Sequence, residues 1–194
     1  MPLVEAPRLR AAGPADAEQI ALLHADSWRR HYRGAYADSF LDEDVLADRL
    51  VAWSSRLAAP AGAATIVATD DTGLVGFVHV VLDEDGRWGS LVDNLHIAHD
   101  RRRGGIGTAL LTCGAQAIVD RAACWSMYLW VLEQNAAAQR FYRALGGTCV
   151  ETAPVPAPGG IPARLNGAPT GFRFAWPDAS ALTGERAGDR GARS

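Results

Sequence analysis

Between residues 64 and 97 the apolar side chains come in short runs, each closed by a polar turn. Residues 64–69 read ATIVAT and stop at Asp70-Asp71-Thr72-Gly73; residues 74–82 read LVGFVHVVL and stop at Asp83-Glu84-Asp85-Gly86; residues 87–97 follow. Runs of this length bounded by turn formers predict strands, and the short connections predict antiparallel pairing. On either side the apolar spacing lengthens to the helical period. Pro14 and Asp16 open one helix, with Ile20, Leu23, His24 and Trp28 recurring at helical spacing and Gly34 as its stop. A second fits residues 42–57, with Val45, Leu46, Leu50 and Trp53 on one stripe, before Pro60 and Gly62 break it. A third covers residues 106–121, its apolar face carried by Ile106, Leu110, Cys113 and Ala117. MYLWVL at residues 127–132 is again a strand, and the strand–helix–strand passage predicts a parallel neighbour for it. Residues 135–145 are helical with Gly146-Gly147 as terminator; residues 148–155 predict a strand; residues 154–169 are a long Pro/Gly-rich loop; residues 171–176 (GFRFAW) predict a final edge strand. With a short first strand at residues 9–12, the pattern is an α/β (α+β) fold: a mixed, mostly antiparallel sheet of about seven strands with helices on both faces. One domain over residues 1–180 is expected, with a disordered Gly/Arg/Ala/Ser tail over residues 181–194.

Composition narrows the class. A chain of 194 residues that is 48% hydrophobic has enough apolar surface for one globular core. The net charge of −3 argues against general nucleic-acid binding. The opening MPLVEAPRLR has no apolar h-region, and no run approaches ~18 apolar residues, so neither a secretory leader nor a membrane span is expected. Cys113, Cys124 and Cys149 lack C-x-x-C spacing and predict reduced thiols, hence a cytoplasmic protein; the histidines and cysteines show no metal-ligand spacing.

The chemistry concentrates in residues 93–121, DNLHIAHDRRRGGIGTALLTCGAQAIVDR, where a strand ends in an arginine- and glycine-rich turn that opens a helix. Free backbone N–H groups at a helix N-terminus, small residues around them and three adjacent arginines suit a phosphate. A Walker A loop is excluded because the chain contains no lysine, which also removes a Schiff-base lysine. A dinucleotide fingerprint fails because Leu110 stands at the third glycine position. The remaining pattern is Arg/Gln-x-x-Gly-x-Gly/Ala, matched by Arg102, Gly105 and Gly107.

That pattern, with Leu95-His96-Ile97 before it and Asn135, Ala138, Phe141, Tyr142, Leu145 and Gly146 after it, resembles the GNAT superfamily of N-acetyltransferases over roughly residues 9–150. The resemblance implies acetyl-CoA as cosubstrate and direct transfer of its acetyl group to a primary amine of a small molecule or of a protein N-terminus or side chain. The other reading it leaves open is a non-catalytic acyl-CoA sensor on the same fold. It implies cofactor contacts from Leu95, His96 and Ile97 on the strand, from Arg102, Arg103, Gly104, Gly105, Ile106, Gly107 and Thr108 at the turn, and from Asn135, Ala138 and Tyr142 on the last helix. Tyr142 is the expected proton donor to the departing thiolate. Asp93 and His96, on opposite faces by strand alternation, are candidate bases, with Asp26, His31 and Glu133 as further ones. Trp28, His31, Tyr32 and Tyr36 are expected to wall the acceptor pocket, together with the loop after Leu82 and residues 154–169. A homodimer through the sheet edge near the last strand is a weaker expectation.

Overall fold

Turns at the glycine-bearing acidic clusters fold β2 (Ala63–Asp70), β3 (Gly73–Asp85) and β4 (Gly89–Ile97) into an antiparallel meander, as their spacing predicts. In the computed structural model, which describes residues 6–184, β1 (Arg8–Ala11) joins β2, and β5 (Met127–Leu132), β6 (Thr148–Pro154) and β7 (Thr170–Trp176) complete one sheet of order β1-β2-β3-β4-β5-β7-β6. The single parallel pair is β4 with β5, joined through α3 (Ile106–Arg121). α1 (Ala17–His31) and α2 (Val45–Ala58) cover one face; α3 and α4 (Ala136–Ala144) cover the other.

Three expectations are corrected. The strand of residues 171–176 is not an edge: β7 lies between β5 and β6. β7 buries Phe174, Ala175 and Trp176 in succession, so both its faces are covered, whereas β6 is exposed at every residue but Ala153 and takes the edge. β3 runs on through the acidic cluster to Asp85, with Asp83 at φ +51 in a register shift, its carboxylate accepting the Ala123 N–H at 2.9 Å. The buried face of α3 is Ile106, Leu110, Leu111, Gly114, Ala115 and Ile118; Ile106 and Leu110 face the core as expected, whereas Cys113 and Ala117 are only half-buried. Leu111 buries more apolar surface than Cys113, so the helix turns that side to the sheet.

The main core lies between the sheet and α3/α4, around Val78, Leu110, Leu129 and Phe174; a second lies beneath α1 and α2, around Ile20, Trp53 and Phe77. A short helix α5 (Ser180–Thr183) packs on α3, where Thr112 Oγ1 donates to the Leu182 carbonyl at 3.2 Å, so ordered chain extends past residue 181. The rest of the expected tail, residues 185–194, lies outside the described residues. No helix of the described residues is long and apolar enough to cross a membrane.

Candidate active site

β4 and β5 are paired only at Ser90–Met127 and Leu91–Tyr128. Beyond these pairs the strands part, and the V between them is a cleft of about 540 Å³. Its walls are residues 92–97 of β4 and residues 129–132 of β5; α1 stands over one side, and the arginine turn and α4 close the other. A strand that loses its neighbour keeps polar backbone groups to offer. Ala98 donates its N–H to the Val75 carbonyl at 2.8 Å across β3, so alternation turns the His96 N–H the same way and points those of Leu95 and Ile97 into the open V.

The same strand carries a bulge. His79 pairs with Asn94 but Val80 pairs with Val92, leaving Asp93 as the extra residue. Strict alternation would separate Asp93 from His96; the bulge instead brings both to the α1/α2 face, correcting the expectation. There Asp93 ion-pairs with Arg56 of α2 at 2.8 Å, and His96 Nδ1 lies 2.8 Å from Ser27 Oγ of α1. Enclosure between α1 and the cleft floor, with His31 and Arg102 nearby, pushes the His96 pKa down to about 3, so its ring is neutral at physiological pH. His24 stacks behind it with ring centroids 4.5 Å apart and accepts the Trp53 indole N–H at 3.0 Å.

At the turn, Arg103 (φ +67) and Gly105 (φ +80) both adopt the left-handed region, which curls the backbone so that its amides converge on one concavity. Gly105 caps α3, and the first helical bond runs from the Ala109 N–H to the Gly105 carbonyl at 3.0 Å. The N–H groups of Ile106, Gly107 and Thr108 therefore have no helical acceptor. Nothing lies within 4 Å of where a Cβ on Gly105 would stand, so the space above these amides is free for a bulky anion. Gly107 serves packing instead: a Cβ there would lie 3.2 Å from Ile97 Cδ1 and 3.4 Å from Phe141 Cζ. Arg101 is held by Asp70 at 3.0 Å, leaving Arg102 and Arg103 as the cations of the turn. The arrangement fits a phosphate-bearing ligand whose chain runs down the V.

Tyr142 is 8% exposed and lines the cleft while packing against Phe141, Phe174 and Trp176. Burial, with the Tyr32 phenol nearby, raises its pKa well above the ordinary tyrosine range, so it keeps its proton. Asn135 holds the start of α4, its Oδ1 accepting the Ala138 N–H at 3.1 Å. Of the residues expected to wall the acceptor pocket, His31 and Tyr32 line the cleft, but Trp28 and Tyr36 do not. Those two are buried with Phe40 and Leu41 in the core of the α1–α2 connection. Asp26 is paired with Arg30 at 2.8 Å and Glu133 is hydrogen-bonded by Thr170; neither lines the cleft. Residues 154–169 also stay outside it, docked on α2 through Arg164 to Asp48 at 2.6 Å. Asp85 caps its own turn, accepting the N–H groups of Arg87 and Trp88.

Sequence reasoning missed Ser27, Asn94, Phe141 and Trp130, which all line the cleft. Ser27 stands four residues before His31 on the same helical face and so had a periodic signal, whereas Trp130, the one exposed residue of β5, had none. Arg56, the partner of Asp93, had none. Among the described residues no group of three or more His, Cys, Asp or Glu side chains could hold a metal ion.

The model of the acetyltransferase (GNAT) family matches residues 24–146. The chain is 31% identical over 140 residues to the "Uncharacterized N-acetyltransferase YuaI" of Bacillus subtilis (strain 168), covering 70% of this chain and 77% of that one. Among solved structures it resembles PaiA N-acetyltransferase from Thermoplasma acidophilum in complex with coenzyme A, with TM-score 0.65 and 18% identity over 89% of this chain and 100% of that one. Arabidopsis thaliana NAA60 in complex with acetyl-CoA gives TM-score 0.62 and 18% identity over 88% of this chain and 97% of that one. At these identities the two structures speak for the fold.

Proposed function

Because the chain belongs to the GNAT acetyltransferase family, we propose that it transfers the acetyl group of acetyl-CoA directly to a primary amine, of a small molecule or of a protein N-terminus or side chain. The observation that carries this is the V between β4 and β5 opening onto an amide-lined, arginine-flanked turn. Bound acetyl-CoA supplies a thioester, an acyl group already activated toward amines. The residues of the chain supply the rest. Amides of residues 106–108, with Arg102 and Arg103, anchor the phosphates. The Leu95 and Ile97 N–H groups face the V and polarise a carbonyl placed between the strands.

Tyr142, protonated throughout the working pH range, donates to the departing sulfur. On the α1/α2 side, Asp93 meets the incoming ammonium. His96 is a poor resting base because its pKa is so depressed; held by Ser27, it orders the path along which the amine proton reaches Asp93 and solvent. Tyr32, its own pKa raised by burial to about 12, stays a neutral hydrogen-bonding wall between the two sides.

The test has two parts. Acetyl-CoA should raise Tm as a native-state ligand does, and ATP should not. An amine panel should then show acetyl-CoA-dependent release of free thiol for at least one acceptor. An acetyl-CoA shift with no turnover on any amine or peptide would leave a binding module rather than an enzyme.

A further inference from the structure

His31 ends α1 and stands across the mouth of the cleft from the arginine turn; both it and Arg102 line that cleft. Arg102 Nη2 donates to His31 Nε2. That bond uses the Nε2 lone pair, so it exists only while His31 is neutral. The end of α1 is held in place from the β5–α4 side, where Gln134 Nε2 donates to the carbonyls of His31 at 3.0 Å and Arg33 at 2.8 Å. His31 therefore sits on a fixed wall and not on a loose loop end. The charged and titratable groups around it are Arg30 and Asp26 on its own helix, His99 and Arg102 on the turn, and His96 on β4; the β5–α4 side contributes the neutral Gln134. Positive groups outnumber the one carboxylate, which is a setting for an anion.

We propose that His31 is a phosphate ligand on the wall opposite the turn, and that it takes up a proton when the pyrophosphate of the cosubstrate enters between it and Arg102. This rests on the acetyl-CoA reading above. The exchange is balanced: Arg102 moves its N–H from the imidazole to a phosphate oxygen, solvent delivers one proton to Nε2, and the new N–H donates to the same group. In the free protein, burial and then the charges of Arg102, His99 and Arg30 keep the His31 pKa below its ordinary value. An anion within contact reverses that balance, because opposite charge favours the ionised form. The complex then binds more protons than the free protein. Affinity therefore rises as pH falls through the interval between the free and bound values, and is flat on either side of it.

The probe is dephospho-CoA, which keeps the pyrophosphate but lacks the 3′-phosphate, a monoester that itself titrates near pH 6. Isothermal titration calorimetry between about pH 8 and about pH 6, in buffers of different ionisation enthalpy, reads both Kd and the protons taken up. Binding is expected to be about tenfold tighter at the acid end, with uptake approaching one proton. His31→Gln should bind weakly with no uptake. His31→Arg, charged at every pH, should bind tightly with no uptake, which separates a charge role from a packing role. His99→Gln should keep the uptake of the parent. Uptake that survives in His31→Gln, or that disappears in His99→Gln, overturns the assignment. So does tight but pH-independent binding by the parent, which would leave the acetyl-CoA reading standing. An absence of any dephospho-CoA binding removes both.

Discussion

Lowering the pH should destabilise this protein well before its carboxylates titrate. His24 and His79 are buried on the α1/α2 side of the sheet, at 0% and 4% exposure. Burial holds His79 at about 4, against 6.5 for the free side chain, and lowers His24 well below the ordinary value too. A histidine with a depressed folded pKa binds its proton first in the unfolded state. Its contribution is intact above pH 6.5 and is lost as pH falls toward the folded value. At about pH 5 an unfolded imidazole of pKa 6.5 gains about 2 kcal/mol from protonation, while the folded His79 gains almost nothing. His96, held at about 3, adds a term of the same size, so these two cost about 4 kcal/mol between about pH 7.5 and about pH 5, and His24 acts in the same direction. That is a large share of the ~5–15 kcal/mol stability of a typical domain. Asp16, Asp48 and Asp70 have lowered pKa values through their arginine and backbone partners, so their stabilising effect is lost only at lower pH. Urea unfolding at half-unit pH steps measures the effect. Two histidines predict a slope of about 2.4 kcal/mol per pH unit between about pH 6 and about pH 5. His79→Gln, which keeps a polar partner for Thr65, should reduce that slope by about 1.2 kcal/mol per pH unit. A parent slope below about 1 kcal/mol per unit, or an unchanged slope in the variant, would refute the reasoning.

Other expectations concern the cleft. Gly105→Val forces a branched side chain into the left-handed region at a strain of about 1–2 kcal/mol and places it over the amides; acetyl-CoA Kd should rise at least about tenfold. An unaltered Kd removes the turn from the binding site. Tyr142→Phe should lower kcat about 100-fold with little change in acetyl-CoA Kd, and an unchanged kcat would show that the phenol takes no part in transfer. Asp93→Asn, measured with an acceptor in hand, should lower kcat/KM about 10- to 100-fold; an unchanged kcat/KM shifts that role to another group.

Short-range signals carried much of this reading. The hairpins of residues 63–97 follow from apolar runs stopped by acidic turns, and the amide cradle follows from glycines at the start of α3, because turn chemistry and helix capping act within a few residues. The parallel β4–β5 pair, from which the cleft opens, follows from the strand–helix–strand passage. Tyr142, singled out by the resemblance, lines the cleft from α4, whose start is held by Asn135.

What needed the folded chain was every question of facing and partnership. Alternation alone put Asp93 and His96 on opposite faces; the bulge that reunites them is a register shift against β3, a property of two strands and not of one. Trp28 and Tyr36 share a segment with His31 and Tyr32, yet the first pair faces the core and the second the cleft, because the α1–α2 connection folds back and buries its aromatics on one another. β7 entered the sheet beside β5 because a strand apolar on both sides is covered there, leaving the polar β6 at the rim. Arg56 on Asp93, Ser27 on His96 and Arg102 on His31 join residues separated by tens of positions in the chain. Turns and caps are decided by neighbours along the backbone, whereas the contacts behind the proposed proton path and phosphate site exist only once the core has closed.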